Sequence, residues 1–169
     1  YGIDGASGSS NYWVNCQLVS YSNPNHSLDA AVVDVLSPTN QILHVRTNPI
    51  CSKPKIIIQN TGDTPLTSLR IEYWINGATT HEVYQWSGNL NFLEKEEVEL
   101  PDPVSFWNAI DFSDGVSLGQ VTTYENSPNL NKFHVEISNP NGSSDGYSFN
   151  NNISSTFTPA PKYPNTFTF

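Results

Sequence analysis

The residues of this chain that are best suited to acid–base chemistry form one short acidic cluster. It comprises Glu94, Glu96, Glu97 and Glu99, and glycosidases use carboxylates of this kind in pairs. Apolar residues alternate with Glu97 and Glu99, which is typical of a strand whose charged side chains face solvent. No base lies beside them in the sequence. We therefore predict no catalytic carboxylate pair and, with no serine in a G-x-S-x-G motif, no nucleophile.

Candidate metal ligands are few. Asp111, Asp114 and Gly115 offer the oxygen-rich environment that calcium prefers, but the segment lacks the full D-x-[DN]-x-[DN]-G pattern and its distant glutamate. The histidines are dispersed, without an HxH or HExxH arrangement, which argues against zinc; they are His26, His44, His81 and His134. The sequence predicts no cofactor and no metal, and leaves a structural calcium in the Asp111 loop as an alternative.

Trp74, Tyr84 and Arg70 are the candidate ligand-binding residues. Trp74 is predicted to lie on the outward face of a strand, with Tyr84 beside it and Arg70 nearby. Exposed aromatic side chains among polar neighbours can stack on sugar rings or contact a protein. The alternative is that they pack against a neighbouring loop or domain.

The segment between residues 53 and 100 must position these side chains. It carries a strict alternation of apolar and polar residues, with Leu69, Ile71, Tyr73 and Ile75 predicted to face inward. Asn76 and Gly77 predict a tight hairpin, because both central residues of a type I′ turn need positive φ. We predict four consecutive antiparallel strands, a meander with one buried and one solvated face.

The remaining sequence predicts more short strands and almost no helix. The predicted strands include 12–21, 28–36, 120–124, 132–138 and 153–157, with a brief extended segment at 42–45 and a long connection at 101–118. About nine or ten strands at this spacing indicate a two-sheet antiparallel β-sandwich. The fold class is therefore predicted to be all-β.

Composition and charge exclude several function classes. The formal charge of −9 argues against nucleic acid, because phosphate binding needs a basic surface. No apolar run approaches the roughly 20 residues of a membrane span. Charged residues are 14 % of the chain, below the roughly 25 % of typical soluble domains, and Asn, Ser and Thr supply solubility instead, as in extracellular β domains. The start at Tyr1, without a signal peptide, leads us to expect a mature or excised fragment.

The two cysteines leave two alternatives open. Cys16 and Cys51 would close a loop of about 35 residues in an oxidising compartment, which stabilises by about 3–4 kcal/mol on the chain-entropy estimate. Alternatively, they are buried thiols that act as small hydrophobic residues.

The order of elements from Asp29 to Phe157 resembles the immunoglobulin-like CARDB modules of secreted and cell-surface bacterial proteins. The residues that carry this resemblance are Asp29-Ala-Ala-Val-Val-Asp-Val-Leu-Ser-Pro38, Ile56-Ile-Ile-Gln-Asn-Thr-Gly62, Tyr73-Trp-Ile-Asn-Gly77, Trp86-Ser-Gly-Asn-Leu90 and Asp145-Gly-Tyr-Ser-Phe-Asn-Asn-Asn152. The resemblance implies an immunoglobulin-like antiparallel β-sandwich, here with an extra N-terminal strand segment.

A narrower resemblance is to the C-terminal accessory region of secreted bacterial proteins related to peptide-N-glycosidase F. It rests on the run from Tyr12 to Gln41, on Asn48-Pro-Ile-Cys51 and on Gln59 to Gly77. It implies that residues 1–27 are a strand segment that would finish a preceding jelly-roll domain, and that residues 28–158 form the sandwich. Residues 159–169 are Pro-rich and are predicted to be an extended tail. No motif of the deamidating chemistry matches, so the resemblance implies no catalytic residue here.

These observations predict a non-catalytic accessory module of a secreted or cell-surface bacterial protein, for domain docking or adhesion. Its partners would be neighbouring domains of the same parent protein, or a glycan or glycoprotein, with no nucleic acid and no membrane insertion. The alternatives are a structural part of a glycoamidase-like enzyme and a carbohydrate-binding module. The chain itself is predicted not to be an enzyme.

Overall fold

The protein is an immunoglobulin-like antiparallel β-sandwich, seen in a computed structural model that describes residues 23–45, 53–103, 106 and 131–157. Its elements are β1 (Ala30–Ser37), α1 (Ile42–Val45), β2 (Lys55–Asn60), β3 (Leu66–Ile75), β4 (Glu82–Leu90), β5 (Lys95–Glu99), β6 (Asn131–Ser138) and β7 (Asn152–Phe157), with 3₁₀ turns at Pro140–Gly142 and Ser148–Asn150. No helix among these residues is long and apolar enough to cross a membrane.

The strands form two sheets. One has the order β1-β2-β5 and the other β4-β3-β6-β7, and all neighbours are antiparallel. The chain changes sheet between β2 and β3, between β4 and β5, and between β5 and β6. Two antiparallel sheets linked by such crossovers are characteristic of immunoglobulin-like sandwiches, so the predicted fold class is confirmed.

The predicted four-strand meander is wrong. β2 pairs with β5, as in Ile56 opposite Val98, whereas β3 and β4 lie in the other sheet. Period-two alternation states which side chains are buried but not which strand is the neighbour. The turn after β2 redirects the chain: the Asn60 amide donates to the carbonyl oxygens of Thr64 (3.0 Å) and Leu90 (2.8 Å).

The core lies between the two sheets and contains the predicted inward residues. Its fully buried side chains include Val35, Ile56, Ile58, Leu69, Ile71, Tyr73, Ile75, Phe133, Val135 and Ile137. Trp86 is buried among them. Phe106 also enters the core, where its ring is 5.5 Å from that of Tyr73 and 6.0 Å from that of Phe133 between centroids. Burial of such aromatic side chains is a large part of the stability of a sandwich.

Two local predictions were wrong. Residues 42–45 form the helical turn α1 rather than an extended segment, and the His44 Nε2 atom lies 2.8 Å from the Asp34 carboxylate. The β3–β4 connection is six residues long, from Asn76 to His81, instead of a two-residue turn. Only Asn76 of the predicted pair has positive φ (53°). Its side chain instead accepts a hydrogen bond from β6, in which the Lys132 N–H donates to Asn76 Oδ1 (2.9 Å).

Several predictions lie outside the described residues. These are the Cys16–Cys51 pairing, the strands at 12–21 and 120–124, the calcium loop at Asp111 and the Pro-rich tail. The predicted division of the chain into residues 1–27, 28–158 and 159–169 therefore stays a prediction.

Candidate functional site

The outward face of the four-stranded sheet carries two of the three predicted ligand-binding residues. Arg70 and Trp74 are on β3, at positions that alternate with the buried side chains. His134 of β6 is directly opposite Trp74. The sequence therefore placed Trp74 and Arg70 on the correct face, while their binding of a ligand stays a prediction.

Trp74 is the middle ring of a three-ring stack. The His81 imidazole lies 3.9 Å from the indole between centroids, at 6° between planes, and the His134 imidazole lies 5.2 Å away at 11°. Because β4 and β6 flank β3, one imidazole approaches from each side. The indole that would stack on a sugar ring therefore already stacks on two imidazoles of the protein itself.

Charged groups hold this stack in place. The Glu72 carboxylate accepts hydrogen bonds from Arg70 and from His81, the latter at 2.7 Å from Nδ1. These partners, Arg70 first, hold the pKa of Glu72 below its usual range. Burial, with smaller effects of Lys132 and His81, lowers the pKa of His134. The stack therefore contains an imidazole that favours its neutral form.

Tyr84 does not lie beside Trp74, which corrects the prediction. It is opposite Ile71 in the β3–β4 register, and it packs against the core from the inner side of the sheet. Since side chains alternate across a strand, a residue opposite inward-facing Ile71 also faces inward. Trp74, Arg70 and Tyr84 thus do not form one binding surface.

Tyr84 instead lines a shallow depression beside Tyr73 and Pro101. The Tyr73 hydroxyl donates a 2.6 Å hydrogen bond to the Pro101 carbonyl oxygen, and burial raises the pKa of Tyr73 well above its usual value. A neutral phenol that donates to a backbone carbonyl fixes the following segment of chain; it is a structural contact.

A second candidate surface lies at one end of the sandwich, and the sequence reasoning missed it. Phe149 is 84 % exposed and Tyr147 is 48 % exposed. Their ring centroids are 5.5 Å apart, and the Tyr147 ring lies 6.0 Å from that of His26. We call these three side chains the aromatic ledge. Exposed large apolar side chains in a cluster are more informative than isolated ones.

Hydrogen bonds to β1 and its preceding loop hold the aromatic ledge. The Asp145 carboxylate accepts from the Ala30 N–H (3.0 Å) and from the Tyr147 N–H (2.8 Å). The Gly146 N–H donates to the Leu28 carbonyl (2.9 Å). A Cβ at Gly146 would come within 2.6 Å of the His26 side chain, so the close approach of the two loops requires glycine.

Behind the ledge, a buried carboxylate ties the 3₁₀ turn to β1. Asp29 Oδ1 accepts a 3.1 Å hydrogen bond from the Asn150 amide. Burial raises the pKa of Asp29, against the opposite effect of hydrogen bonds from Asn150 and Thr61. The loop that carries the ledge therefore rests on a hydrogen-bonded base.

The sequence contained one signal for the ledge. Residues 139–152 read as a turn-forming segment rich in Asn, Ser and Gly, yet Tyr147 and Phe149 interrupt it without any alternating apolar pattern. Aromatic residues in a turn lack the strand context that would bury them. The contact of Tyr147 with His26, far away in the sequence, is visible only in the structure.

Glu97 and Glu99 of the acidic cluster are confirmed as solvated strand residues. Glu97 and Glu99 pair with Lys55 and Lys53, at 2.9 and 3.0 Å, while Val98 is buried between them. Within the described ranges, no three His, Cys, Asp or Glu side chains come together as a metal site.

No protein-family model matches the chain, and no curated protein matches it. Among solved structures, the chain is similar to a CARDB domain from Pyrococcus furiosus that was crystallised in complex with di-metal ions. The two chains are 12 % identical, the alignment covers 89 % of this chain and 100 % of that one, and the TM-score is 0.40.

Proposed function

We propose that this chain is a non-catalytic accessory module that docks a neighbouring domain of the same parent protein through the aromatic ledge. The observation that carries the proposal is the exposure of Phe149 and Tyr147 on a loop fixed by hydrogen bonds. Binding residues are commonly found on loops that a rigid scaffold positions. A preformed apolar surface of this kind fits a protein contact, since little ordering is needed when the partner binds.

The ring geometry favours a protein partner over a glycan. The Tyr147 and Phe149 planes are tilted by 46°, so they do not offer one flat platform for adjacent sugar rings. The indole of Trp74, the other candidate for sugar stacking, already stacks on two imidazoles. Tilted aromatic side chains instead resemble the anchors that insert into pockets of a partner protein.

The proposal places the module in a secreted or cell-surface bacterial protein. The low fraction of charged residues and the solubilising Asn, Ser and Thr support this location. A parent related to peptide-N-glycosidase F remains the proposed context, in which the module would stabilise or orient catalytic domains located elsewhere. The module itself is assigned no reaction.

Photo-crosslinking in the full-length parent protein tests the docking proposal. The photoreactive residue p-benzoylphenylalanine is introduced at Phe149 and, as a matched control, at Leu43, which is 82 % exposed. Leu43 follows the end of β1, whereas the ledge contacts its start. We expect an efficient crosslink from position 149 to another domain of the same polypeptide, and much less from position 43.

Equal crosslinking from both positions, or none from position 149, would contradict docking through the ledge. A separate assay tests the absence of a reaction: the isolated chain is incubated with glycopeptides, and released glycans are measured by mass spectrometry. We expect no release. Glycan release by the isolated chain that is lost on denaturation would overturn the non-catalytic assignment.

A further inference from the structure

Each sheet of a sandwich ends in two edge strands, whose outer backbone groups are available to pair with another chain. Among the strands that the structure describes, the edge strands are β1, β5, β4 and β7. Proteins usually protect such edges with charged side chains, bulges, proline or a covering segment. The way in which each edge is protected therefore indicates where a further strand is able to add.

Three of the four edges carry recognisable protection. β1 has two register shifts and is followed by Pro38. β5 is charged at four of its five positions, Lys95, Glu96, Glu97 and Glu99. β7 is covered by the chain after β1, because the Asn40 N–H donates to the Thr156 carbonyl (2.8 Å) and the Ser155 hydroxyl donates to the Pro38 carbonyl (2.6 Å).

The fourth edge, β4, lacks these devices over most of its length. Within the described part of the chain it pairs only with β3, through six consecutive residue pairs from Ser68–Ser87 to Tyr73–Glu82. From Val83 to Ser87 it has no proline and no charged residue, and Val83 is 45 % exposed. An irregularity beyond Ser87 ends the regular stretch. In an antiparallel strand, every second residue directs its N–H and C=O away from the existing partner.

The surroundings of this edge select the charge of a partner. Glu96 lies beside β4, since it accepts a 3.0 Å hydrogen bond from the Trp86 indole. Glu94 lies in the turn that follows β4, where Asn91 donates to it. Their hydrogen-bond donors are neutral, the backbone and amide of Asn91 for Glu94 and the indole for Glu96, so none of these contacts pairs a carboxylate with a cation. Lys95 offsets one of these two acidic residues, in a chain whose formal net charge is −9.

The same charges disfavour a second copy as the partner. Symmetric pairing of two β4 edges would bring the Glu94 and Glu96 carboxylates of both copies to one interface. Like charges across such an interface are destabilising. A strand with basic flanks gains from these carboxylates instead.

We propose that the Val83–Ser87 edge of β4 binds an extended, basic segment of a partner polypeptide by strand addition. Backbone hydrogen bonds supply the affinity in this mode, and flanking charges and alternate side chains supply the selectivity. The proposal is independent of the aromatic ledge, which lies at one end of the sandwich rather than along its side.

The test uses a synthetic peptide, KKTVTVTVKK, added to the isotope-labelled chain at low ionic strength. Nuclear magnetic resonance follows the backbone amides and their hydrogen exchange. We expect saturable binding in which protection increases at every second residue between Val83 and Ser87, and binding that weakens as salt is added. A peptide with proline at its centre and the same charge should not bind, because proline removes the necessary N–H.

Variants separate strand addition from general electrostatic attraction. Val83→Lys places a positive charge on the proposed edge and should weaken binding by about fivefold or more. Asn152→Lys adds the same charge at an exposed position at the start of β7, on the far edge of the same sheet. This control should leave binding nearly unchanged. Gln85→Lys provides a second edge variant in case Val83→Lys fails to fold.

Three results would overturn the proposal. The first is the absence of saturable binding, and the second is binding without the period-two protection at β4. The third is protection at β4 that appears without peptide and increases with protein concentration, since that result would assign the edge to a second copy of this chain.

Discussion

The substitution Asp145→Asn tests whether the aromatic ledge is fixed by its hydrogen bonds to β1. The Asp145 carboxylate accepts from two backbone N–H groups, those of Ala30 and Tyr147. An asparagine of nearly the same shape has one oxygen to offer, so its NH₂ group would face the second donor. One charge-assisted hydrogen bond is lost and the other is weakened.

The expected cost follows from the burial of the site. A hydrogen bond to a charged acceptor contributes about 1.5–3 kcal/mol, and Asp145 is half-buried, so we expect the free energy of unfolding to fall by about 1.5–2 kcal/mol. Removal of the charge also relieves repulsion of Asp29, but Asp145 is only a minor influence on that carboxyl. The loss of hydrogen bonds therefore dominates, and the melting temperature should fall by about 3–8 °C.

Urea unfolding and amide hydrogen exchange measure this effect, with Asp63→Asn as the matched control. Asp63 lies in the adjoining loop, where its N–H donates to the His26 carbonyl, and its side chain is exposed. The control removes the same charge without removing an acceptor from the ledge. Equal stability of the two variants, or unchanged exchange at the Ala30 and Tyr147 amides, would refute the reasoning.

Three further substitutions test the core and its polar contacts. Ile71→Asp places an unpaired charge between the sheets and should unfold the domain, at a cost above about 4 kcal/mol; a cooperative circular-dichroism melt near the parental temperature would show that the register is wrong. Burial raises the pKa of Asp29. The protonated Asp29 carboxyl therefore contributes its full stabilisation below the unfolded-state pKa, and this stabilisation is lost as pH rises through the folded-state pKa. Urea unfolding across pH 3–7 measures the difference in free energy of unfolding between Asp29→Asn and the parent. We expect Asp29→Asn to become more stable relative to the parent as pH rises, and a difference that does not change with pH would contradict this. Tyr73→Phe leaves the Pro101 carbonyl without its donor and should lower the free energy of unfolding by about 1–2 kcal/mol. The control Tyr84→Phe should change it by less than about 0.5 kcal/mol. Similar urea midpoints for the two variants would argue against the hydrogen bond.

Alternation along the strands was sufficient to predict which side chains are buried. In β3, Leu69, Ile71 and Tyr73 are buried and the residues between them are partly exposed, and β6 follows the same period. This succeeds because side-chain direction is a local property of an extended chain. The partner of each strand is not local, and so the crossover that places β2 beside β5 was not predicted.

The candidate sites depend even more on contacts between residues that are far apart in the sequence. Trp74 was correctly placed on the outward face, but the imidazoles that cover it come from a loop and from another strand, His81 and His134. The ledge depends on a bond between Asp145 and Ala30, which are far apart in the sequence. A pattern in one segment carries no information on such contacts, and Tyr84 was misplaced for a related reason: its face depends on the β3–β4 register.

The size of the aromatic ledge indicates what kind of partner it is able to hold. Covering the exposed parts of Phe149 and Tyr147 would contribute about 6 kcal/mol at the usual value for apolar area. Association of two free molecules costs about 4–15 kcal/mol in lost translation and rotation, so the ledge alone would bind a free partner weakly. A domain in the same polypeptide is present at an effective concentration of about millimolar, and for such a partner a small preformed contact is sufficient. This comparison is the reason for proposing a neighbouring domain, and it implies that the isolated module should bind a separately produced neighbour much more weakly than the intact parent holds it.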